Sequence, residues 1–588
     1  MTELAFTGLE DTGPSIARAQ RDTADWTVLH SSKCKRLTPD MKDHRHMTLG
    51  DLPRRSATLW GEHEALCFEG QRWNYAQFSL EVDRYAKALI GAQVSPKDRI
   101  AVWMTNRPEL LFLLYAIARV GAVSVPLNTR YKSEDAAYAI SQSRSNLLIA
   151  MNQSGPINYE QMIAEIFAPL NKSQNQELNL KSYPELRQLI MFEQSTLNGV
   201  TDWEQFLSLG GNIADSVLEE RAESVKVSDH MAILYTSGTT GNPKGAIHSH
   251  TAIQNTMERT QILKFTENDS HMSYLPLFHL YGFSEVAIAA MFCGSKQILM
   301  DTFDAGAVLD LAEQEQATIF HGFDVHWIDL LRQQRKSSRS LNFRLGTYPA
   351  GTESSAVLAK QVQEVFGPTV SGWGMTESWA FVACNRPDDS EEQRTMASGS
   401  VMPGYEIRVV NPETHRDVPY GEQGVLFVRG YAQMKGYFDK PEETAQTIDA
   451  EGWLNTGDYA RLRDDGHIVF LGRYKDILKV GGENISPTEI ESRLLMIDGV
   501  DDVAVVGIAD SRLGEIPVAF VISTSPALTA DDVVAQIRGQ IASFKVPRHV
   551  FFMNNFPVTA SGKVRKVELR AIAENKLITI GSSSYQKA

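Results

Sequence analysis

The sequence predicts an α/β protein, with parallel sheets that carry helices and a small α+β unit at the end. Two patterns point to this. Strand-length apolar runs alternate with helix-period segments over 74–128 and again over 231–323, the signature of a parallel sheet. Past residue 425 the apolar runs alternate at period two and are separated by turns, which fits a more antiparallel region. No internal repeat of fixed period is visible.

Residues 1–50 are polar and irregular and are expected to wrap the surface. Over 74–92, Phe78, Val82, Tyr85, Ala86 and Leu89 recur at helical spacing. IAVWM at 100–104 reads as a buried strand, a helix follows over 108–121, and AVSVPLN at 122–128 reads as the next strand. The most apolar stretch, LLFLLYAIA at 110–118, lies between Glu109 and Arg119. It is too short to span a bilayer, which takes ~20 apolar residues, so it predicts a buried core helix. Residues 151–225 are more polar and read as an insertion or surface elaboration. Alternation resumes with MAILYT from 231 as a strand, a Gly/Thr/Ser loop, and HTAIQNTMERTQIL as a helix. QILM at 297–300 and ATIFHGF at 317–323 are further strands, and VLFVRG at 425–430 and HIVFLGR at 467–473 are the period-two pair. The last hundred or so residues change character. PTEIESRLLMI puts Ile490, Leu494 and Ile497 on one helix face, DVAVVGIAD and PVAFVIS read as strands, and DDVVAQIRGQIA reads as a helix opened by acidic residues. The boundary falls near GRYKD at 472–476.

Composition narrows the function. At 588 residues the chain is long enough for several domains of about 150 residues. Hydrophobic residues are 43% and charged residues 22%, which excludes wholesale disorder. With 57 Lys and Arg against 72 Asp and Glu the net charge is −15, so a broad nucleic-acid surface is excluded while a small anionic substrate is not. The four cysteines stand far apart, without zinc or disulfide-scaffold spacing. A reducing, cytoplasmic setting is expected, with peripheral membrane attachment left open. The N-terminus shows no signal-peptide pattern.

The richest segment is YTSGTTGNPKGAIHSH at 235–250. Gly238, Gly241 and Gly245 let the backbone turn tightly around a bulky anion. Thr236, Ser237, Thr239 and Thr240 supply hydroxyls and Lys244 a cation, a set that suits a polyphosphate. It is not a Walker loop, because Lys244 follows proline and Gly245 stands where a magnesium-binding hydroxyl belongs.

This segment resembles the phosphate loop of the adenylate-forming superfamily, which holds acyl-CoA synthetases, adenylation domains and luciferases. Five further motifs follow in family order: PLFHLYG at 276–282, GWGMTES at 372–378, WLNTGDYA at 453–460, GRYKDILKVGGENISPTEIE at 472–491 and PVTASGKVRK at 557–566. The resemblance covers roughly 60–575. It implies a large domain, 1–474, of parallel sheets plus a β-barrel-like subdomain, and a small mobile domain, 475–588, carrying a late lysine. It implies ATP, Mg2+ and CoA as the reaction's companions.

The resemblance implies roles residue by residue. Lys563 bridges the acid carboxylate and the α-phosphate, a task that suits a mobile point charge. Lys244, Thr236 and the loop 237–241 hold phosphates. Glu377 binds magnesium through oxygen, with Thr236 nearby. Asp458 accepts the ribose hydroxyls, and Arg473 offers a rigid fork for ribose or phosphate. Trp373 stands in the usual tyrosine position to stack on adenine, in a segment with Gly374, Met375 and Thr376. Gly351, Thr352 and Glu353 are aligned with the adenine pocket, although TYPAGTESS at 347–355 departs from the commoner Gly/Ala/Pro-rich version. His279, with Phe283, Gly322 and Phe323, is placed at the acyl pocket. Lys475 is the hinge, and Gly481, Gly482 and Glu483 line the CoA channel. Taken singly, most of these side chains read as surface or core residues; the ordered set is what points to chemistry.

The function expected is an acid–CoA ligase that adenylates a carboxylic acid, a fatty acid first, and then passes the acyl group to CoA. The alternatives are an aryl-CoA ligase of the coumarate type, a free-standing ligase loading a carrier protein, and a nucleotide-binding protein that has lost its chemistry. The chain ends soon after Lys563, which argues against an attached carrier domain. A homodimer is left open.

Overall fold

The computed structural model describes residues 28–30, 46–167, 182–236, 243–348, 355–480, 483–510, 512–538, 540–558 and 564–585. Two seven-stranded sheets form the body. The first runs Val200–Asp202, Gln188–Met191, Leu147–Ala150, Arg99–Trp103, Val123–Pro126, His230–Thr236, Lys244–Ser249, parallel except for the last hairpin. The second runs Thr369–Val370, Leu345–Thr347, Ile319–His321, Ser270–Ser273, Lys296–Leu299, Glu64–Phe68, Gln71–Asn74, and again only its last pair is antiparallel. Both sheets carry helices, as the alternating pattern predicts.

Local sequence explains the helices between them. Tyr75–Gly91 opens on Asn74, whose side chain accepts from the Gln77 amide at 2.8 Å, and its apolar stripe from Phe78 to Leu89 is buried. Pro108–Arg119 starts on proline, has Glu109 in its first turn and Arg119 in its last, and buries every residue from Leu110 to Arg119. It is the core helix expected from LLFLLYAIA.

Three expectations need correction. Residues 182–225 are no appendage: Gln188–Met191 and Val200–Asp202 extend the first sheet, and Trp203 and Phe206 join the main core. The apolar residues are few but fall on the buried face, which a low average hydropathy conceals. Second, the phosphate loop does not lead straight into a helix. Lys244–Ser249 is a strand paired antiparallel with His230–Thr236, and the helix begins at Ile253. Its small and polar residues hide a strand whose partner supplies the burial. Third, the N-terminal segment is not wholly irregular, since Val28–His30 pairs with Tyr405–Val410 and Leu49 is buried.

A five-stranded antiparallel sheet follows, in the order Val28–His30, Tyr405–Val410, Gln423–Gly430, Leu454–Leu462, Ile468–Arg473. It contains both period-two runs. The chain then builds a separate sheet from Leu478 onward: Glu483–Ile485, Leu478–Val480, Gly514–Ser523 and Val500–Asp510, with His549–Phe552 parallel to Gly514–Ser523. Alternate residues of Val500–Asp510 face two cores. Val503 and Val505 pack with Ile490, Leu494 and Val533, while Ala504 and Val506 pack with Leu569 and Ala573. Period-two alternation thus lets one strand hold helices on both sides. Among the described residues no helix is long and apolar enough to cross a membrane.

Candidate functional site

The strand after the phosphate loop is the anchor. Thr236 pairs with Lys244 across the hairpin, and the Thr236 hydroxyl donates to the Lys244 carbonyl at 3.4 Å. Gly245 is required there, because a Cβ would stand 2.6 Å from Ile233 Cγ2. Ser237, Gly238, Thr239, Thr240 and Gly241 lie outside the described residues, as do Gly351, Thr352, Glu353, Gly481, Gly482 and Lys563.

Three chain segments meet beside this hairpin. His248, on the strand, is joined through Nε2 to the Thr376 carbonyl at 2.8 Å. Burial pushes its pKa down to about 4, so the ring is neutral at pH 7 and its Nε2–H donates to that carbonyl. Glu377 follows, buried at 6% exposure, and accepts from the Tyr437 hydroxyl at 2.8 Å. The Met434 amide donates to the Glu377 carbonyl at 2.8 Å, and the Phe438 amide to the Gly245 carbonyl at 2.8 Å. Lys244 Nζ sits 5.0 Å from the Tyr437 ring centre. Lys244, Glu377 and Tyr437, far apart in sequence, therefore share one place: a cation, a carboxylate and the ring between them. Burial, then the Glu377 charge, raise the Tyr437 phenol above its ordinary value, so it stays a donor.

A second group joins through the hairpin Gly372–Met375. Trp373, expected on adenine, is buried and its Nε1–H donates to Asp458 Oδ2 at 3.0 Å. Asp458 and Arg473 face each other across adjacent antiparallel strands and form an ion pair at 2.9 Å. Arg473 also donates to the Thr456 carbonyl at 3.0 Å. The carboxylate is thus held from two sides. Gly374 is forced: a Cβ would lie 1.6 Å from the Ala380 carbonyl oxygen. Met375 pairs with Ala380, and both Trp379 and Ala380 adopt left-handed backbone, at φ 60° and 59°. Strained residues of this kind persist where surrounding structure imposes them, commonly at functional sites.

His279, expected at the acyl pocket, is exposed and meets Phe323 edge-on at 6.1 Å, and Tyr281 meets Phe323 at 4.9 Å. Tyr281 opens a π-helix, Tyr281–Ile288, a form frequent at functional sites. Gly322 sits close under His326 and Trp327. Phe283 is elsewhere, buried in the core 6.3 Å from Tyr115, because its place on the π-helix turns it inward. Lys475 lies in the exposed turn Tyr474–Asp476, and Glu483 is exposed on a strand of the C-terminal sheet. Tyr437, His248 and Tyr281 were not singled out from the sequence. His248 and Tyr281 lie inside the motifs at 235–250 and 276–282, and Tyr437 lies outside every motif.

Glu377 and Thr236 offer hard oxygen donors of the kind Mg2+ prefers. A separate cluster, Glu64, Cys67 and Glu315, does not suit a cation. Glu315 is already paired with Arg72 at 2.7 Å and Lys296 at 3.0 Å, and burial pushes the Cys67 thiol up to about 12.

The chain matches the AMP-binding enzyme family over residues 53–438 and the AMP-binding enzyme C-terminal domain over 489–563. It is 33% identical to the protein named "Putative acyl-CoA synthetase YngI" of Bacillus subtilis (strain 168), covering 89% of this chain and 97% of that one. It is 30% identical to the mitochondrial medium-chain acyl-CoA ligase ACSF2 of Mus musculus, covering 90% and 88%. Among solved structures, ATP-bound MatB from Rhodopseudomonas palustris is 26% identical with a TM-score of 0.73, covering 90% of this chain and 99% of that chain. The chain therefore belongs to the AMP-binding enzymes, as an ATP-dependent acid–thiol ligase of the acyl-CoA synthetase kind.

Proposed function

We propose that the protein activates a fatty acid with ATP and transfers the acyl group to CoA. The acid carboxylate attacks the α-phosphorus, forming the acyl-adenylate and releasing pyrophosphate. The CoA sulfur then attacks the acyl carbon, forming the thioester and releasing AMP. Lys244 and the loop at 237–241 grip phosphates; Trp373, Asp458 and Arg473 hold the nucleoside. Glu377 and Thr236 would hold Mg2+, which neutralises phosphate charge. Lys563 bridges the two reacting anions, offsetting the charge that gathers as they meet. His279, Gly322 and Phe323 face the acid. Gly481, Gly482 and Glu483 face CoA once the domain after residue 474 turns about Lys475.

The observation that carries this reading is the convergence of Lys244, Glu377 and Tyr437 beside the Asp458–Arg473 pair. The apolar wall of Phe323 and Tyr281 supports a hydrophobic tail. The buried, unpaired Cys67, Cys293 and Cys384 support a reducing compartment such as the cytoplasm. The test is acid-dependent ATP–pyrophosphate exchange without CoA, over fatty, short branched and aromatic acids. Exchange with an aliphatic acid is expected. Exchange with none, while ATP still binds, overturns the reading.

A further inference from the structure

The turn that carries Glu377, Thr376–Ser378, is short, and its peptides are held from outside. The Thr376 carbonyl accepts from His248 at 2.8 Å, and the Glu377 carbonyl accepts from the Met434 amide at 2.8 Å. The Ser378 carbonyl accepts from the Tyr405 hydroxyl at 3.4 Å. Past the turn, the Phe381 carbonyl accepts from Asn255 at 3.0 Å and from Arg259 at 3.1 Å. Between these clamps stands Trp379, at φ 60° and ψ 66°. Left-handed backbone is costly for so bulky a residue and persists only where its surroundings impose it.

The indole is what imposes it. Trp379 meets the His248 ring edge-on, centres 5.1 Å apart, and its Nε1–H donates to the Thr256 hydroxyl at 3.1 Å. Thr256 belongs to the helix Ile253–Ile262, and its hydroxyl lies 2.6 Å from that of Ser284 on the π-helix. The Ser284 hydroxyl lies 3.3 Å from Glu285 Oε1 and 3.2 Å from Arg259 Nη2. An indole N–H only donates and a carboxylate only accepts. One direction therefore uses every proton of the chain. Trp379 donates to Thr256, Thr256 to Ser284, and Ser284, which also accepts from Arg259, to Glu285. Buried hydrogen bonds in such a chain polarise one another, so the Glu285 charge strengthens the hold on Trp379 two hydroxyls away. Thr256 and Trp379 are wholly buried, so neither touches substrate.

We infer that Thr256 and Trp379 are positioning residues for Glu377. The chain from Trp379 through Thr256 and Ser284 to Glu285 fixes the left-handed residue, and that residue fixes the turn presenting the Glu377 carboxylate to the cation that accompanies ATP. The inference rests on the acid–CoA ligase reading and adds two residues that act through a third.

The test uses the full-length wild type, Thr256→Val, Thr256→Ser, Trp379→Phe and the double variant Thr256→Val with Trp379→Phe. Titration calorimetry gives the affinity for ATP with Mg2+ and in EDTA; pyrophosphate exchange gives kcat and KM. In the wild type Mg2+ is expected to tighten ATP binding. Thr256→Val is expected to cut that gain, and kcat of exchange, by about tenfold, the scale of one buried hydrogen bond. Affinity in EDTA and KM for the acid stay unchanged. Thr256→Ser keeps the hydroxyl and is expected to keep the gain. Trp379→Phe breaks the same bond from its other end. It is expected to match Thr256→Val, and the double variant to be no worse than either, because changes at one shared bond do not add. If the Trp379 variants fail to fold, the two Thr256 variants decide alone. A wild-type gain in Thr256→Val overturns the inference and leaves the ligase reading standing. So do equal losses in Thr256→Ser, losses in EDTA as large as those with Mg2+, a double variant whose losses add, and a wild type whose ATP affinity ignores Mg2+. Exchange with no acid in the wild type overturns the ligase reading and the inference with it.

Discussion

At the scale of single residues, Glu377 is the most exacting position. It is buried, carries a charge, and shares Tyr437 with Lys244. Glu377→Gln keeps an acceptor for Tyr437 and removes only the charge. Exchange is expected to fall by about 100-fold, the scale of losing one preorganised charge at a developing anion, while KM for the acid changes little. A second buried charge serves stability. Arg259 and Glu285 form a bidentate pair, with the Arg259 side chain also bonding Asn255, Ser284 and the Phe381 carbonyl. Glu285→Ala leaves the cation alone in the core and is expected to cost about 3–5 kcal/mol in urea unfolding. Arg259→Met with Glu285→Leu is expected to cost less than Glu285→Ala alone. Buried histidines set the acid limit. Burial lowers His248 and His250 to about 4 and His271 to about 3. An unfolded histidine binds its proton near 6.5, so the unfolded state gains protons first. Stability is full above that pH and is lost as pH falls from 6.5 towards 4. Melting curves over pH 4–8 check this.

At the scale of elements, the site depends on backbone that admits no side chain. In the pair of strands Gly372–Met375 and Ala380–Cys384, Gly374 lies against the Ala380 carbonyl. Gly374→Ala is expected to lose about 3 kcal/mol through overpacking and to move Trp373 and Glu377 apart, abolishing exchange. Thermal unfolding and exchange measured together separate the two effects. The motif GWGMTES announced this element, yet not the left-handed Trp379 and Ala380 that complete its turn. The strand Lys244–Ser249 was hidden for a related reason. KGAIHS is small and polar, and it becomes a strand through its ladder with His230–Thr236 and the Met434–Phe438 segment. Gln188–Met191 was missed because four residues inside a polar stretch carry too little periodicity to stand out.

At the scale of the whole molecule, the chain after Arg473 builds its own sheet and two cores of its own. The link is short: Arg473 is paired with Asp458, and Leu478 begins the next sheet, with the turn Tyr474–Asp476 between them. In the proposed reaction, a rotation there would change which face of the small domain meets the site. Lys475→Pro restricts that turn by fixing φ near −65°. Thioester formation is expected to slow by about tenfold or more while exchange is retained, as the proposed rotation before the second step requires. Equal wild-type rates for both half-reactions would remove the hinge from Lys475. Single-turnover measurement of adenylate and thioester checks it.

What the sequence determined by itself was the chemistry that adjacent residues spell out. Thr236 and Lys244, Glu377, Asp458 and Arg473 sit in contiguous motifs, and alternation of apolar runs carries the sheet class. What only the tertiary structure decided was the set of partners across the chain. Tyr437 reaches Glu377 over 60 residues, Trp373 reaches Asp458 over 85, and His248 reaches Thr376 over 128. Hydrogen bonds at such separations leave no local pattern, because they are fixed by how sheets and hairpins pack and not by spacing along the chain.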